Sequence, residues 1–210
     1  MTAIVLHVYY IDLWRYFEEK LKSLNTPFDL YITLCDEVED ISDEILNSFP
    51  NANIKKYKNK GQDIGPFLLT LKNIRNKNYN YLIKLHTKKC RHNPALGEEW
   101  RDALVNSLIA SDETILENIH TLSKSDYKMC GCKRWHLKRP WEDGKLYEFI
   151  AGTMFFSDFK IITKLLSDQI IDEWYALMPK GYRGDHTFTH TVERNLGQII
   201  IDAGFKIKGV

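Results

Sequence analysis

The sequence predicts an α/β domain built on a mostly parallel sheet flanked by helices. Period-2 apolar runs alternate with period-3.6 amphipathic runs along the whole chain. The spacing between successive strand segments suits crossover helices, the pattern of a parallel sheet. With 210 residues, 44% hydrophobic and 27% charged, the chain has enough apolar material for an ordinary soluble core.

Ala3 to Tyr9 reads as a compact apolar strand, and Asp12 to Leu24 as an amphipathic helix with Leu13, Phe17, Leu21 and Leu24 on one face. Asn25-Thr26-Pro27 ends that helix, and Phe28 to Cys35 is a second strand. A short helix, Ser42 to Phe49, is closed by Pro50, and Ala52 to Tyr57 is a third strand. The loop Lys58 to Asp63 leads into a helix from Ile64 to Ile74, with Pro66 tolerated in its first turn. Tyr79 to His86 is a fourth strand, followed by helices at Glu98 to Ile109 and Glu113 to Ser123. Tyr127 to Cys132 is a strand, and Lys133 to Lys145 reads as a long basic loop bearing tryptophans. Phe149 to Phe156 is a further strand, with helices at Phe159 to Leu166 and about Asp168 to Leu177. Asp185 is expected to cap a last helix reaching about Asp202, before a short strand from Phe205 to Gly209. No repeat or linker divides the chain, so residues 1–210 read as one domain. The stop directly after a strand suits a piece of a longer protein.

Composition excludes several classes. Apolar runs such as Phe149 to Phe156 fall far short of the ~18 residues that span a bilayer. The start Met1 to Leu6 lacks the basic segment of a signal peptide, and four cysteines give no disulfide framework. A reduced, cytoplasmic protein is expected. Net charge is +1, but residues 1–50 carry three basic side chains against ten acidic ones, and residues 51–95 eleven against one. That asymmetry suits either a solvated basic face or a local site for a compact anion such as a diphosphate. It does not suit bulk nucleic-acid binding.

In open α/β sheets, ligands bind beyond the carboxyl ends of the strands. Two segments with chemistry fall there. Lys60-Gly61-Gln62-Asp63 precedes a helix N-terminus, where Asp63 either caps the helix or accepts from a sugar hydroxyl. His86-Thr87-Lys88 emerges at the end of the fourth strand, either as an ordinary basic terminus or as neutralising groups for a diphosphate. Gly152-Thr153 inside a strand suggests close approach of a ligand or another backbone. Metal signals are poor: His86-x3-Cys90-x-His92 and Cys130-x-Cys132 lack structural-zinc spacing, and no Asp-x-Asp pair occurs. His186 and His190 share a helix face at i, i+4 without further ligands.

The runs Tyr9-Tyr10-x-Asp12-Leu13, Asp63-Ile64-Gly65-Pro66-Phe67-Leu68, Lys84-Leu85-His86-Thr87-Lys88-Lys89, Trp100-Arg101, Ala151-Gly152-Thr153-Met154-Phe155 and Glu193-Arg194 together resemble the rhamnan synthesis F family, in order from about residue 5 to about 197. That family usually carries Arg at the position of Gln62 and Ser at that of Cys90. The resemblance implies an A-type glycosyltransferase-like, Rossmann-like fold. It implies transfer of a hexose, such as rhamnose or galactose, from a nucleotide diphosphate-sugar to a bacterial O-antigen, lipopolysaccharide or rhamnan glycan, free or lipid-linked.

On that footing His7 and Tyr9 face the base, and Lys60, Gly61, Asp63, His86, Thr87 and Lys88 hold the rest of the donor. Gly152 and Thr153 line the acceptor side, and Asp185 is the expected general base, with Glu193 second. The missing Asp-x-Asp pair points to metal-independent transfer. The displacement is expected to be inverting, with no cofactor, no nucleic-acid partner and at most peripheral contact with membrane. The alternative is a non-catalytic glycan-binding or scaffolding module, with Trp135 and Trp141 as sugar-stacking faces.

Overall fold

The computed structural model describes residues 1–90, 93–123, 126–184 and 186–210. Its elements, in chain order, are β1 (Thr2–Val8), α1 (Trp14–Lys22), β2 (Phe28–Cys35), α2 (Ser42–Ser48), β3 (Asn53–Tyr57), α3 (Ile64–Ile74), β4 (Tyr81–His86), α4 (Pro94–Ile109) and α5 (Asp112–Ser123). There follow β5 (Tyr127–Gly131), β6 (His136–Pro140), β7 (Leu146–Ile150), β8 (Phe155–Asp158), α6 (Phe159–Leu165), α7 (Asp168–Leu177), α8 (Phe188–Asp202) and β9 (Lys206–Gly209).

Seven strands form one sheet in the order β3-β2-β1-β4-β8-β5-β9. All neighbouring pairs are parallel except the two made by β8, so six strands run one way and β8 runs against them. From β1 the chain steps outward through β2 to β3, then returns to place β4 on the other side of β1. The switch point of the topology therefore lies between β1 and β4, the place beyond the carboxyl ends of the strands where α/β sheets bind ligands. The register sets His7 opposite His86 there.

Helices cover both faces because the strands present apolar side chains alternately to each. Ile4, Leu6 and Val8 of β1, with Ile83 and Leu85 of β4, pack among Trp14, Phe17, Leu21, Leu104, Val105 and Leu108 of α1 and α4. On the opposite face, Ala3, Val5 and Leu82 meet Ile64, Phe67, Leu68 and Leu71 of α3, joined by residues of α6, α7 and α8. Each such side chain buried from water contributes roughly 1.5–3 kcal/mol before the entropy of ordering is counted. Side-chain caps set several helix starts: Asn93 accepts from Leu96 N–H, Asp158 from Ile161 N–H and Ser167 from Ile170 N–H.

The structure corrects four local expectations. The 133–145 segment is not an open loop: Lys133–Trp135 forms one 3-10 turn and β6 pairs with β7 in an antiparallel hairpin packed on α8. The 149–156 segment is two strands, because Gly152 (φ 85°) and Thr153 (φ 51°) adopt left-handed conformations that break β pairing. The helix after Asn93 begins at Pro94 rather than Glu98, since the Asn93 cap and a proline in its first turn favour the earlier start. The last helix begins at Phe188, after Thr187; Asp185, its expected cap, lies outside the described residues. Among the described residues no helix is long and apolar enough to cross a membrane.

Candidate active site

Along β4 the side chains of Leu82, Lys84 and His86 fall on the α3 face by strict alternation. Leu82 belongs to the core, but Lys84 places an ammonium in it with no solvent exposure at all. A lone buried charge would be prohibitive, so partners are required. Asp63, immediately before α3, supplies the first: Lys84 Nζ lies 2.5 Å from Asp63 Oδ2. Thr153 supplies two more, accepting from Nζ at its carbonyl (2.9 Å) and its hydroxyl (3.1 Å). The Thr153 hydroxyl in turn donates to the same Asp63 oxygen at 2.6 Å. Asp63 thus makes no side-chain cap hydrogen bond to α3. Its Oδ2 is held by Lys84 and Thr153, and its Oδ1 makes no hydrogen bond among the described residues.

His86 lies beside this triangle, with Nδ1 buried 3.4 Å from Asp63 Oδ2 and without a hydrogen-bond partner among the described residues. Its register neighbour His7 is paired through Nδ1 with the Thr33 hydroxyl at 2.9 Å. Burial pushes the His7 imidazole down to about 4 and that of His86 down to about 3, against the upward pull of Asp63, so both rings are neutral near pH 7. Burial works to raise the Asp63 carboxyl, but the charges of its neighbours and the hydrogen bonds from Lys84 and Thr153 hold it below the usual range. Lys84 and Lys88 are both lowered by burial and partly restored by Asp63. The Lys88 ammonium sits 3.6 Å over the Trp100 ring and makes no hydrogen bond or ion pair among the described residues.

The break between β7 and β8 forms the opposite wall. A Cβ on Gly152 would meet Leu104 at 2.9 Å and the Trp100 ring at 3.4 Å, so the backbone there approaches the neighbouring helix closely. The Gly152 N–H donates to Glu193 Oε1 of α8 at 2.7 Å. Burial raises the Glu193 carboxyl, opposed by that hydrogen bond and by Arg194. Thr87 ties the exit of β1 to that of β4, its hydroxyl accepting from the N–H groups of Tyr9 (3.0 Å) and Tyr10 (2.9 Å) and its N–H donating to the His7 carbonyl.

The expected residues divide accordingly. Asp63, His86, Lys88, Gly152, Thr153 and Glu193 gather with His7 at the switch point, and Tyr9 and Thr87 brace its rim. Lys60 is directed elsewhere: its Nζ donates to the Ala176 carbonyl near the end of α7 and lies 4.8 Å over the Tyr175 ring. Gly61 is also engaged there, its N–H bonded to the Pro179 carbonyl. Both tryptophans are already engaged by other side chains. Trp135 stacks on Trp100 at 4.4 Å, while Trp141 stacks on His186 at 5.2 Å and carries Arg194 3.3 Å over its ring. Lys84 is the residue that strand-end reasoning overlooked. Its signal was present as a lysine at a core-facing position of Leu82-Ile83-Lys84-Leu85. Among the described residues no group of three or more His, Cys, Asp or Glu is arranged to hold a metal ion.

The fold has solved counterparts. A 4-diphosphocytidyl-2C-methyl-D-erythritol synthase from Anaerococcus prevotii superposes with a TM-score of 0.54 at 14% identity, over 100% of this chain and 86% of that one. A proposed nucleotide-diphospho-sugar transferase from Desulfovibrio desulfuricans gives 0.51 at 12% identity, over 100% and 79%. Both likenesses are likenesses of fold. In sequence, two uncharacterized proteins called WxcX, from two strains of Xanthomonas campestris pv. campestris, are 23% and 29% identical over the whole chain. The chain spans 32% of their length, about a third of each relative. The sequence model of rhamnan synthesis protein F matches residues 1–126, a stretch that carries Asp63, Lys84, His86 and Lys88 but ends before Thr153 and Glu193. With that match over more than half of its 210 residues, the chain belongs to the rhamnan synthesis protein F family.

Proposed function

We propose that the chain is a glycosyltransferase domain that moves a hexose, such as rhamnose or galactose, from a nucleotide diphosphate-sugar to a growing surface glycan. The observation that supports this reading is the convergence of Asp63, His86, Lys88 and Glu193 at the topological switch point, where α/β folds bind nucleotides. In this reading His7 and Tyr9 lie toward the base, and Asp63 Oδ1 accepts from a donor hydroxyl while Oδ2 stays engaged with Lys84 and Thr153.

The acceptor hydroxyl attacks the anomeric carbon as the bond to the nucleoside diphosphate breaks, giving inversion. The hydroxyl proton passes to Glu193, whose burial makes it a stronger base than an exposed carboxylate. Lys88 offsets the charge of the departing diphosphate, with a hydrogen bond from neutral His86. Asp185, outside the described residues, is the alternative base. Metal-independent transfer is part of this reading, and what supports it is the Lys84 ammonium, which already gives Asp63 Oδ2 a cationic partner. The acceptor is proposed to be a glycan, free or lipid-linked, met on the cytoplasmic side with no more than peripheral membrane contact.

Thermal melts with UDP-, dTDP-, GDP- and CDP-sugars, each with and without Mn²⁺, test the donor. One nucleotide class should stabilise the protein by about 2.7 kcal/mol at a hundredfold excess over its dissociation constant, with no gain from Mn²⁺. Glu193→Gln should keep that shift and lose about 10²- to 10⁴-fold in turnover. No shift with any nucleotide would sink the transferase reading in favour of a glycan-binding module.

A further inference from the structure

We propose that Lys84 is a positioning residue that sets the distance between the donor side and the base side of the site, an inference that rests on the roles given above to Asp63 and Glu193. Its three N–H groups can each meet an acceptor, and those acceptors come from two distant loops. Asp63 Oδ2, before α3, is at 2.5 Å; the carbonyl and hydroxyl of Thr153, in the β7–β8 break, are at 2.9 and 3.1 Å. Thr153 closes the triangle by donating to Asp63 at 2.6 Å, so the two loops are joined at one carboxylate oxygen.

Thr153 is β-branched and held at φ 51°, a conformation that such residues rarely adopt unless their surroundings impose it. The Lys84 ammonium grips its carbonyl and its hydroxyl, while its N–H donates to the Ile150 carbonyl at 3.3 Å. One residue earlier, the Gly152 N–H holds Glu193 at 2.7 Å. A continuous path therefore runs from the donor-binding carboxylate through Lys84 and the left-handed Gly152–Thr153 step to the base. Stability alone does not call for a lysine here. A buried ion pair is commonly matched or exceeded by a well-packed apolar side chain, and the neighbours Leu82, Ile83 and Leu85 already make an apolar strand.

The test compares wild type, Lys84→Met and Thr153→Ala by amide hydrogen exchange, and by turnover of the nucleotide-sugar that the melts identify. In Lys84→Met the Gly152 amide should exchange at least tenfold faster while amides in the middle of β1 keep their protection. At saturating donor, kcat should fall at least a hundredfold. The acid limb of kcat/KM should move to higher pH, because Asp63 loses the cation that holds its carboxyl down. A purely structural role would lower the amount of folded protein without moving that limb. Thr153→Ala keeps the ion pair, so it serves if Lys84→Met does not fold; it should loosen Gly152 and lower kcat by a smaller factor. Unchanged exchange at Gly152 together with unchanged kcat would overturn the role of Lys84. Faster exchange in a protein whose wild type turns over no nucleotide-sugar would leave the positioning role standing and overturn the proposed reaction.

Discussion

The two faces of the same strands are built differently. Toward α1 and α4 the central strands present Ile4, Leu6 and Val8, then Leu30, Ile32 and Leu34, then Ile83 and Leu85, apolar to the very end of each strand. Toward α3 they present Ala3 and Val5 followed by His7, Tyr31 followed by Thr33, and Leu82 followed by Lys84 and His86. On this face polarity rises toward the carboxyl ends, with Asp29 at the start of β2 the exception, its carboxylate accepting from the Tyr79 hydroxyl. The first face is a packing surface whose value lies in excluding water. The second begins as core and ends as a site, where each buried polar group must find a partner and the partners come from other loops. Chemistry is concentrated where the sheet can spare apolar contact, at the switch point.

The largest expected effect breaks the polar face. Asp63→Asn leaves the Lys84 ammonium buried without its counter-charge, which should cost about 3–5 kcal/mol of stability and abolish nucleotide-sugar binding. Denaturant melts and ligand titration read the two losses separately; retention of both would show that the pair is incidental. A smaller or comparable loss is expected on the apolar face, without the functional cost. Leu6→Ala should lower stability by about 2–5 kcal/mol and leave donor affinity within twofold at a temperature where the protein is folded. A large affinity change would mean that the faces are not independent.

The third prediction sharpens the contrast through pH. His7 is held near 4 and His86 near 3 in the folded protein, below the ordinary value of about 6.5. As pH falls through 6.5 the unfolded chain binds protons that the native state refuses, so stability should decline between about pH 6.5 and 4. Asp63, lowered in the folded state, gives stability that is lost only at still lower pH, below the ordinary carboxylate range. His7→Gln, which cannot titrate, should flatten the decline by roughly a few kcal/mol at most. Melts across pH 4–7 that show equal slopes in both proteins would refute the assignment.

Much of the fold was legible because it rests on local periodicity. The compact apolar run of Ala3 to Val8 and the apolar stripe of Ile64, Phe67, Leu68 and Leu71 are properties of short segments, and burial in the structure follows them. The hairpin from His136 to Ile150 was not legible, because Tyr147 and Phe149 cluster with Trp135, Leu137 and Trp141 while β7 packs on α8, an element distant in sequence. The broken strand at Gly152 and Thr153 was missed for a related reason. An apolar run looks continuous, and only Lys84 and Glu193, far away along the chain, show why the backbone turns over there.

The site shows the same division. Asp63, His86 and Lys88 were marked by their residue types at strand ends and loop starts, positions that sequence periodicity locates without help. Lys60 shared those marks, yet the structure turns its ammonium to the end of α7, because a long flexible side chain goes to whichever acceptor the tertiary packing offers. Lys84 stood in plain view between apolar neighbours and was given no role of its own, because no local segment shows that Asp63 and the Thr153 carbonyl and hydroxyl lie within its reach. The sequence by itself determined the α/β class, most of the strands and helices along the chain, and the family, since these depend on short-range pattern and motif. Only the tertiary structure decided which polar groups share one enclosed space, since that depends on contacts between loops as far apart as Asp63 and Thr153, whose geometry no local segment encodes.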